Sequence, residues 1–214
     1  MFIAFEGIEG SGKSTQSRLL AKTLKNRGFE VVYSREPGGC ALGDDLRKIL
    51  LDSKNKDLDQ RSELFMYLAA RAQHVKDKIM PAVRDNKIII VDRFNDSTIA
   101  YQGYGRGLDT DFVYQLCDFA CYGLWPDITI VLDMPVEIGI KRARLRNEFY
   151  KKNNIDESRF EQEELKFHER VREGYLDLQK RYNERIVIID ATGSVEEIGS
   201  SILSVLKERL GLEV

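Results

Sequence analysis

Residues 7–14 read Gly-Ile-Glu-Gly-Ser-Gly-Lys-Ser, a match to G-x-x-x-x-G-K-[ST]. An apolar run, Phe2 to Phe5, precedes it, and a helix-forming stretch, Lys13 to Arg27, follows. That order constrains the fold strongly. A strand must deliver the chain into a tight turn, glycines must let backbone N–H groups point inward, and a helix must leave with its positive end toward whatever the turn holds. The group so held is a chain of phosphates: Lys13 would reach the β- and γ-phosphates, and the Ser14 hydroxyl would ligate Mg²⁺. Gly7, Ile8, Glu9, Gly10, Ser11, Gly12, Lys13, Ser14 and Thr15 are therefore candidate nucleotide contacts. A chance glycine-rich turn is the plain alternative, and the strand-loop-helix context argues against it.

The rest of the chain repeats the alternation. Strands are expected at Phe29 to Ser34, Lys87 to Val91, Ile128 to Leu132 and Arg185 to Ile189. Helices are expected at Ala41 to Asp52, Asp59 to Arg84 with a bend at Pro81, Asp109 to Gly123, Val136 to Arg146, Glu161 to Tyr182 and Val195 to Leu210. The run Ile88 to Val91 is β-branched throughout, as in a strand buried on both faces. Strands separated by helices make a parallel α/β sheet, and ligands of such sheets gather at the carboxyl ends of the strands. The phosphate loop, the segment after Ser34, Asp92-Arg93 and Asp133 all fall there.

Composition sets limits. At 214 residues, 43% hydrophobic and 32% charged, the chain suits one domain, 1–214. A net charge of −2 gives no sign of a nucleic-acid partner. No apolar run nears the roughly 20 residues that span a bilayer, and MFIAFEG lacks the basic start of a secretory signal. Cys40, Cys117 and Cys121 lack metal-ligand spacing and read as reduced thiols of a cytoplasmic protein. The guanine-reading N-K-x-D and a transporter-type LSGGQ are both missing, and little length remains beyond one nucleotide site and one small acceptor site, which favours a small-molecule kinase.

Three stretches outline the acceptor side. Arg35-Glu36-Pro37-Gly38-Gly39 places a cation and a rigid turn at the ligand-bearing edge. In Asp92-Arg93-Phe94 the arginine can bridge phosphates bidentately, and the aspartate can hold the Mg²⁺ water shell or orient Lys13. Tyr67 and Arg71 are four apart on one helix face, where one could stack on a planar base and the other bond its edge. On spacing alone a core tyrosine and a solvated arginine are the better reading.

The motifs FEGIEGSGKST, REPGG, YLAAR, VDRFNDSTIAYQG, LDMP and SRFEQEELKFHERVREGY together resemble the bacterial thymidylate kinases. The resemblance runs from residue 2 to about residue 190. It implies a three-layer P-loop nucleoside monophosphate kinase fold, a five-stranded parallel sheet flanked by helices with a lid, and a homodimer. It implies transfer of a phosphoryl group from Mg-ATP to dTMP. By the same resemblance Glu9 contacts the deoxyribose 3′-hydroxyl or the Mg²⁺ water shell, Arg71 reads the thymine edge, and Arg35 and Arg93 clamp the dTMP phosphate. Tyr67 stands where the family usually has a stacking phenylalanine. Pro37, Ser97, Thr98, Tyr101 and Gln102 are expected to line the acceptor pocket.

Family members that have glycine after the loop's acidic residue place a catalytic cation in the lid. Gly10 occupies that position, so the lid, residues 141–160, should supply the cation. Lys141, Arg142, Arg144, Arg146, Lys151, Lys152 and Arg159 are available there. Arg159 matches best, Arg146 is second, and Arg142 is expected on the ATP side. The stretch Asn147 to Ser158 is longer and more polar than the family pattern. His74 and His168 show no carboxylate partner in the sequence and read as surface or structural residues. A different nucleoside mono- or deoxynucleoside kinase, and a non-catalytic nucleotide-binding protein, are the rival functional classes.

Overall fold

The computed structural model describes residues 1–151 and 157–212. Five strands, β1 (Phe2–Glu6), β2 (Val31–Arg35), β3 (Ile88–Asp92), β4 (Ile128–Asp133) and β5 (Ile186–Asp190), form one sheet in the order β2-β3-β1-β4-β5. Every pairing is parallel. The helices between them are α1 (Lys13–Asn26), α2 (Ala41–Leu51), α3 (Gln60–His74), α4 (Met80–Arg84), α5 (Asn95–Thr98), α6 (Thr110–Ala120), α7 (Val136–Lys151), α8 (Leu165–Arg181) and α9 (Val195–Leu210). Parallel neighbours need long crossovers, and the helices supply them.

The sheet is covered on both faces. Alternate residues of β1 point to opposite sides: Ile3 and Phe5 join a large core with Leu20 and Leu24 of α1 and Ile130 of β4. Phe2 and Ala4 join a second core with Ile89 and Val91 of β3, Val75, Ile79 and Phe94. Burial on both faces explains why β1 and β3 read as continuous apolar runs. The strand register pairs Arg35 with Asp92, Phe5 with Asp92 and Glu6 with Val131, so the carboxyl ends of β2, β3, β1 and β4 share one edge.

Two local differences from the sequence reading have physical causes. The long helix after Asp59 departs from α geometry at a π-helical turn, Val75–Ile79, just before Pro81. Proline has no N–H for the i−4 carbonyl, and a wider turn ahead of it takes up that mismatch. The residues after Asp92-Arg93 predict no element, yet α5 there runs into a π-helical stretch, Ile99–Gly105. Its Ser, Thr, Ile, Tyr and Gly residues carry neither strong helix propensity nor a helical apolar period. The helix α7 continues past Arg146 to Lys151, so part of the expected lid extends it. Lys152 lies outside the described residues.

Candidate active site

The phosphate loop is shaped by what surrounds it. Gly7 and Gly10 have φ of +134° and +73°. A Cβ at Gly7 would lie 2.4 Å from the Leu132 carbonyl oxygen, and one at Gly10 would lie 2.0 Å from the Gly139 carbonyl oxygen. Only glycine fits either position. Gly12 precedes α1, and Lys13 opens it. The Lys13 ammonium donates to the Ile8 carbonyl at 2.6 Å and to Ser11 Oγ at 3.3 Å, closing the loop on itself. Burial, with the Arg93 guanidinium adding to it, pushes Lys13 down from 10.5 to about 7. Ser14, one residue on, donates its hydroxyl to Asp92 at the end of β3. Hydroxyl and carboxylate oxygens are the hard donors that suit Mg²⁺, which takes its other ligands from phosphates and water.

Arg93 joins this loop to the opposite wall. Its backbone is left-handed, with φ +69°, a conformation that costs about 1–3 kcal/mol for a non-glycine residue. The surroundings hold it there. Nη1 donates to the Gly7 carbonyl (3.1 Å), Ser97 Oγ (3.1 Å) and Tyr175 Oη (3.3 Å). Nη2 donates to Glu9 Oε1 (3.1 Å) and Tyr101 Oη (3.0 Å). The Tyr101 hydroxyl donates to the same Glu9 oxygen at 2.6 Å, and His168 Nδ1 lies 3.3 Å from Glu9 Oε2. Burial alone would raise Glu9, but His168, Arg93 and Lys13 outweigh it and hold the carboxyl well below the ordinary range.

Beneath Arg93 lies a residue to which the motifs assign no role. Glu6, fully buried at the end of β1, accepts from the backbone N–H of Phe94 at 2.7 Å, from the Tyr175 hydroxyl at 2.9 Å and from the Ser97 hydroxyl. Burial, helped by the Asp96 charge, pushes it up to about 7.

The surroundings of Arg71 form a second buried network. Arg71 donates from Nε to Glu36 Oε2 (2.8 Å), from Nη1 to Thr98 Oγ1 (2.9 Å) and from Nη2 to the Phe94 carbonyl (3.0 Å). His74 Nδ1 lies 2.8 Å from Glu36 Oε1, and His74 Nε2 lies 2.7 Å from Ser34 Oγ. Burial opposes charge on Glu36, yet the Arg71 and His74 contacts hold it below the ordinary carboxylate value. Both histidines are buried, as structural residues are, and neither lies on the surface; each has a carboxylate beside it, which the sequence does not show. Those partners lie far away in the chain, where local spacing carries no signal.

A single cleft of about 660 Å³ brings these parts together. Its lining includes Glu9, Gly10, Gly12, Lys13, Ser14 and Thr15 of the loop, Asp92 and Arg93 at the end of β3, and Arg35, Pro37, Tyr67, Arg71, Ser97, Thr98, Tyr101 and Gln102. Gly7, Ile8 and Ser11 are buried within the loop. From the lid side Arg142, Arg146 and Glu161 reach the cleft, and Arg142 also donates to the Ala191 carbonyl at 3.4 Å. Arg146 pairs with Glu161 at 2.8 Å. Arg159 is placed elsewhere. It is buried, its Nη1 lies 2.7 Å from Glu63 Oε2, and it does not line the cleft. Glu63 and Tyr175 join Glu6 and Glu36 as site residues without a sequence assignment; each is visible only through a long-range partner.

Comparison with known proteins bears on family and fold. The family model described as Thymidylate kinase matches residues 5–202. The thymidylate kinase of Maridesulfovibrio salexigens is 52% identical, over 98% of this chain and 96% of its own. That of Pelobacter propionicus is 48% identical, over 98% and 95%. The crystal structure of thymidylate kinase from Ehrlichia chaffeensis superposes with a TM-score of 0.76 at 36% identity, covering 97% of this chain and 98% of that one. Identity at this level over nearly the whole length makes this chain a member of the thymidylate kinase family.

Proposed function

We propose that the protein transfers the γ-phosphoryl group of ATP to dTMP, giving ADP and dTDP for dTTP synthesis, by direct in-line attack in a Mg²⁺-dependent site. The observation that carries this reading is Arg93, which bonds the phosphate loop through the Gly7 carbonyl and Glu9 and the acceptor wall through Tyr101. A guanidinium at that seam is placed to hold the acceptor phosphate against the triphosphate.

Phosphoryl transfer is catalysed mainly by positioning and by stabilising charge on the moving group. Lys13 and the loop N–H groups hold the β- and γ-phosphates, and Arg142 borders the donor side. Arg35 and Arg93 fix the dTMP phosphate. Arg71 presents a rigid donor edge to thymine, and Tyr67 offers a ring face. Glu9, kept ionised by its partners, accepts from the 3′-hydroxyl. Ser14 and Asp92 would hold Mg²⁺, with Glu9 joining through its water shell, and an ion bound there would offset phosphate charge. The dTMP phosphate is already ionised near neutral pH, so no strong base is needed. Arg146 reaches the cleft in this structure, and Arg159 would have to leave Glu63 to act as the lid cation.

The proposal extends to one kinase domain with its lid near residues 141–160, and to a homodimer. Phe65 of α3, Phe112 and Phe119 of α6 and Tyr122 just beyond it are exposed apolar side chains on helices that pack together. A symmetric partner would cover such a face. A cytoplasmic setting suits the free thiols of Cys40, Cys117 and Cys121. No helix among the described residues is long and apolar enough to cross a membrane. The test is ³¹P NMR of the protein with ATP, dTMP and Mg²⁺. Equal growth of ADP and dTDP resonances, stopped by EDTA, is expected; ADP with free phosphate and no dTDP would overturn the reading.

A further inference from the structure

Glu63, Tyr67 and Arg71 recur every four residues along α3, so one stripe of that helix carries all three. Tyr67 and Arg71 face the acceptor half of the cleft. Glu63 lies one turn earlier and is fully buried. Its carboxylate is a junction. Oε1 accepts from Gln102 Nε2 at 2.8 Å and from Arg106 Nε at 3.2 Å. Oε2 accepts from Arg106 Nη2 at 3.1 Å and lies 2.7 Å from Arg159 Nη1. Arg106 continues to Glu163 at 2.7 Å and packs over Phe160 and Phe167. The Arg159 guanidinium lies 4.5 Å from the Phe160 ring centroid, and its Nε donates to the Leu50 carbonyl.

Three segments therefore meet on one buried charge: α3, the acceptor-lining helix that carries Gln102, and residues 157–163 at the end of the lid. Glu63 and Glu163 balance Arg106 and Arg159, so the junction is neutral as a unit and unbalanced if one member leaves. A carboxylate has about four lone-pair sites and can serve all these donors, which no neutral side chain can. Residues on both sides of the junction reach the cleft: Gln102 from the acceptor wall, Phe160 and Glu161 from the lid side. A second tether, Arg47 to Glu157 at 2.8 and 2.7 Å, holds the same segment to α2.

We propose that Glu63 is a positioning residue that docks residues 157–163 on the acceptor wall and so couples dTMP binding to closure over the ATP phosphates. The inference rests on the dTMP kinase reading. An acceptor that orders Tyr67 and Gln102 orders the carboxylate between them, and that carboxylate holds Arg159 and Arg106. Coupling of this kind is reciprocal, so a docked segment favours dTMP as much as dTMP favours docking.

The test is amide hydrogen exchange with and without dTMP, together with steady-state kinetics, on the wild-type protein and Glu63→Gln. In the wild type dTMP alone slows exchange in residues 157–163. In Glu63→Gln that protection is lost, KM for dTMP rises, and kcat/KM for dTMP falls about tenfold to a hundredfold, as expected for loss of charge-assisted hydrogen bonds. Adding Arg159→Gln to Glu63→Gln costs little more, because both act through one junction. A purely structural role would lower the melting temperature and leave dTMP-dependent protection intact, which overturns the proposal. Wild-type protein whose residues 157–163 ignore dTMP overturns it as well. Should Glu63→Gln not fold, Glu163→Gln, on a partly exposed side chain, must weaken the protection in the same direction. Wild-type turnover of dTMP in the same preparation separates failure of this coupling from failure of the kinase reading.

Discussion

Arg71 donates to Glu36 at 2.8 Å, and neither side chain is more than 3% exposed. The guanidinium that would read the base edge is thus fixed before any base arrives, by a residue outside the base pocket's own helix. Removing one member of a buried ion pair strands the other charge. Glu36→Ala should destabilise the protein by about 3–5 kcal/mol, read from the urea midpoint. Any folded fraction should show a raised KM for dTMP. A wild-type midpoint would contradict this role for the pair.

Lys13 is the loop's cation, and its ammonium already closes the loop on Ile8 and Ser11. Lys13→Ala should lower kcat about 100- to 1000-fold, the usual loss when one preorganised donor to a developing charge is removed. Circular dichroism should stay unchanged. A variant with near-normal kcat would move phosphate stabilisation elsewhere.

The same lysine predicts a proton effect. Its folded value, about 7, lies below the ordinary 10.5. The unfolded chain therefore binds the extra proton between about pH 7 and 10.5, and this group's contribution to stability grows as pH rises through that window. Polyphosphate favours the ammonium form, so binding ATP at pH 8 should take up a proton, at most about one. Isothermal titration in two buffers of different ionisation enthalpy measures it. Heats that do not depend on buffer, or a Lys13→Met variant with the same uptake, would contradict the assignment.

Tyr67 offers a ring face to the cleft. Tyr67→Ala should raise KM for dTMP about two- to tenfold, the range of aromatic stacking beyond area burial. Tyr67→Phe should stay close to wild type. Loss of dTMP affinity in Tyr67→Phe as large as in Tyr67→Ala would mean that the hydroxyl, not the ring, makes the contact.

Much of this molecule is legible in the sequence, for reasons that differ by residue. The run from Ile88 to Val91 announces a strand because both faces are buried, and all four residues sit in the cores. Lys13, Ser14 and Asp92 are legible because phosphate chemistry demands those types at the end of a strand and the start of a helix. The helix from Asn95 to Gly105 is not legible, because its residues are chosen for contacts to Arg71, Arg93 and Glu63 rather than for helix propensity. Glu6, Glu36 and Glu63 are hidden for another reason. A buried carboxylate is explained only by its partners, and Tyr175, His74 and Arg159 come from other parts of the chain. The position of Arg159 shows the same limit: its motif matches a lid cation, while the fold gives it a buried carboxylate.

The central claim is that one cleft holds ATP against dTMP and discriminates that acceptor. The most direct measurement is coupled ADP release with Mg-ATP against dTMP, dUMP, dCMP, dGMP, UMP, CMP, AMP and thymidine. The account predicts efficient turnover with dTMP, weak turnover with ribonucleotides and none with thymidine, which lacks the phosphate that Arg35 and Arg93 would hold. Preference for another monophosphate, or ADP release that needs no acceptor, would contradict it.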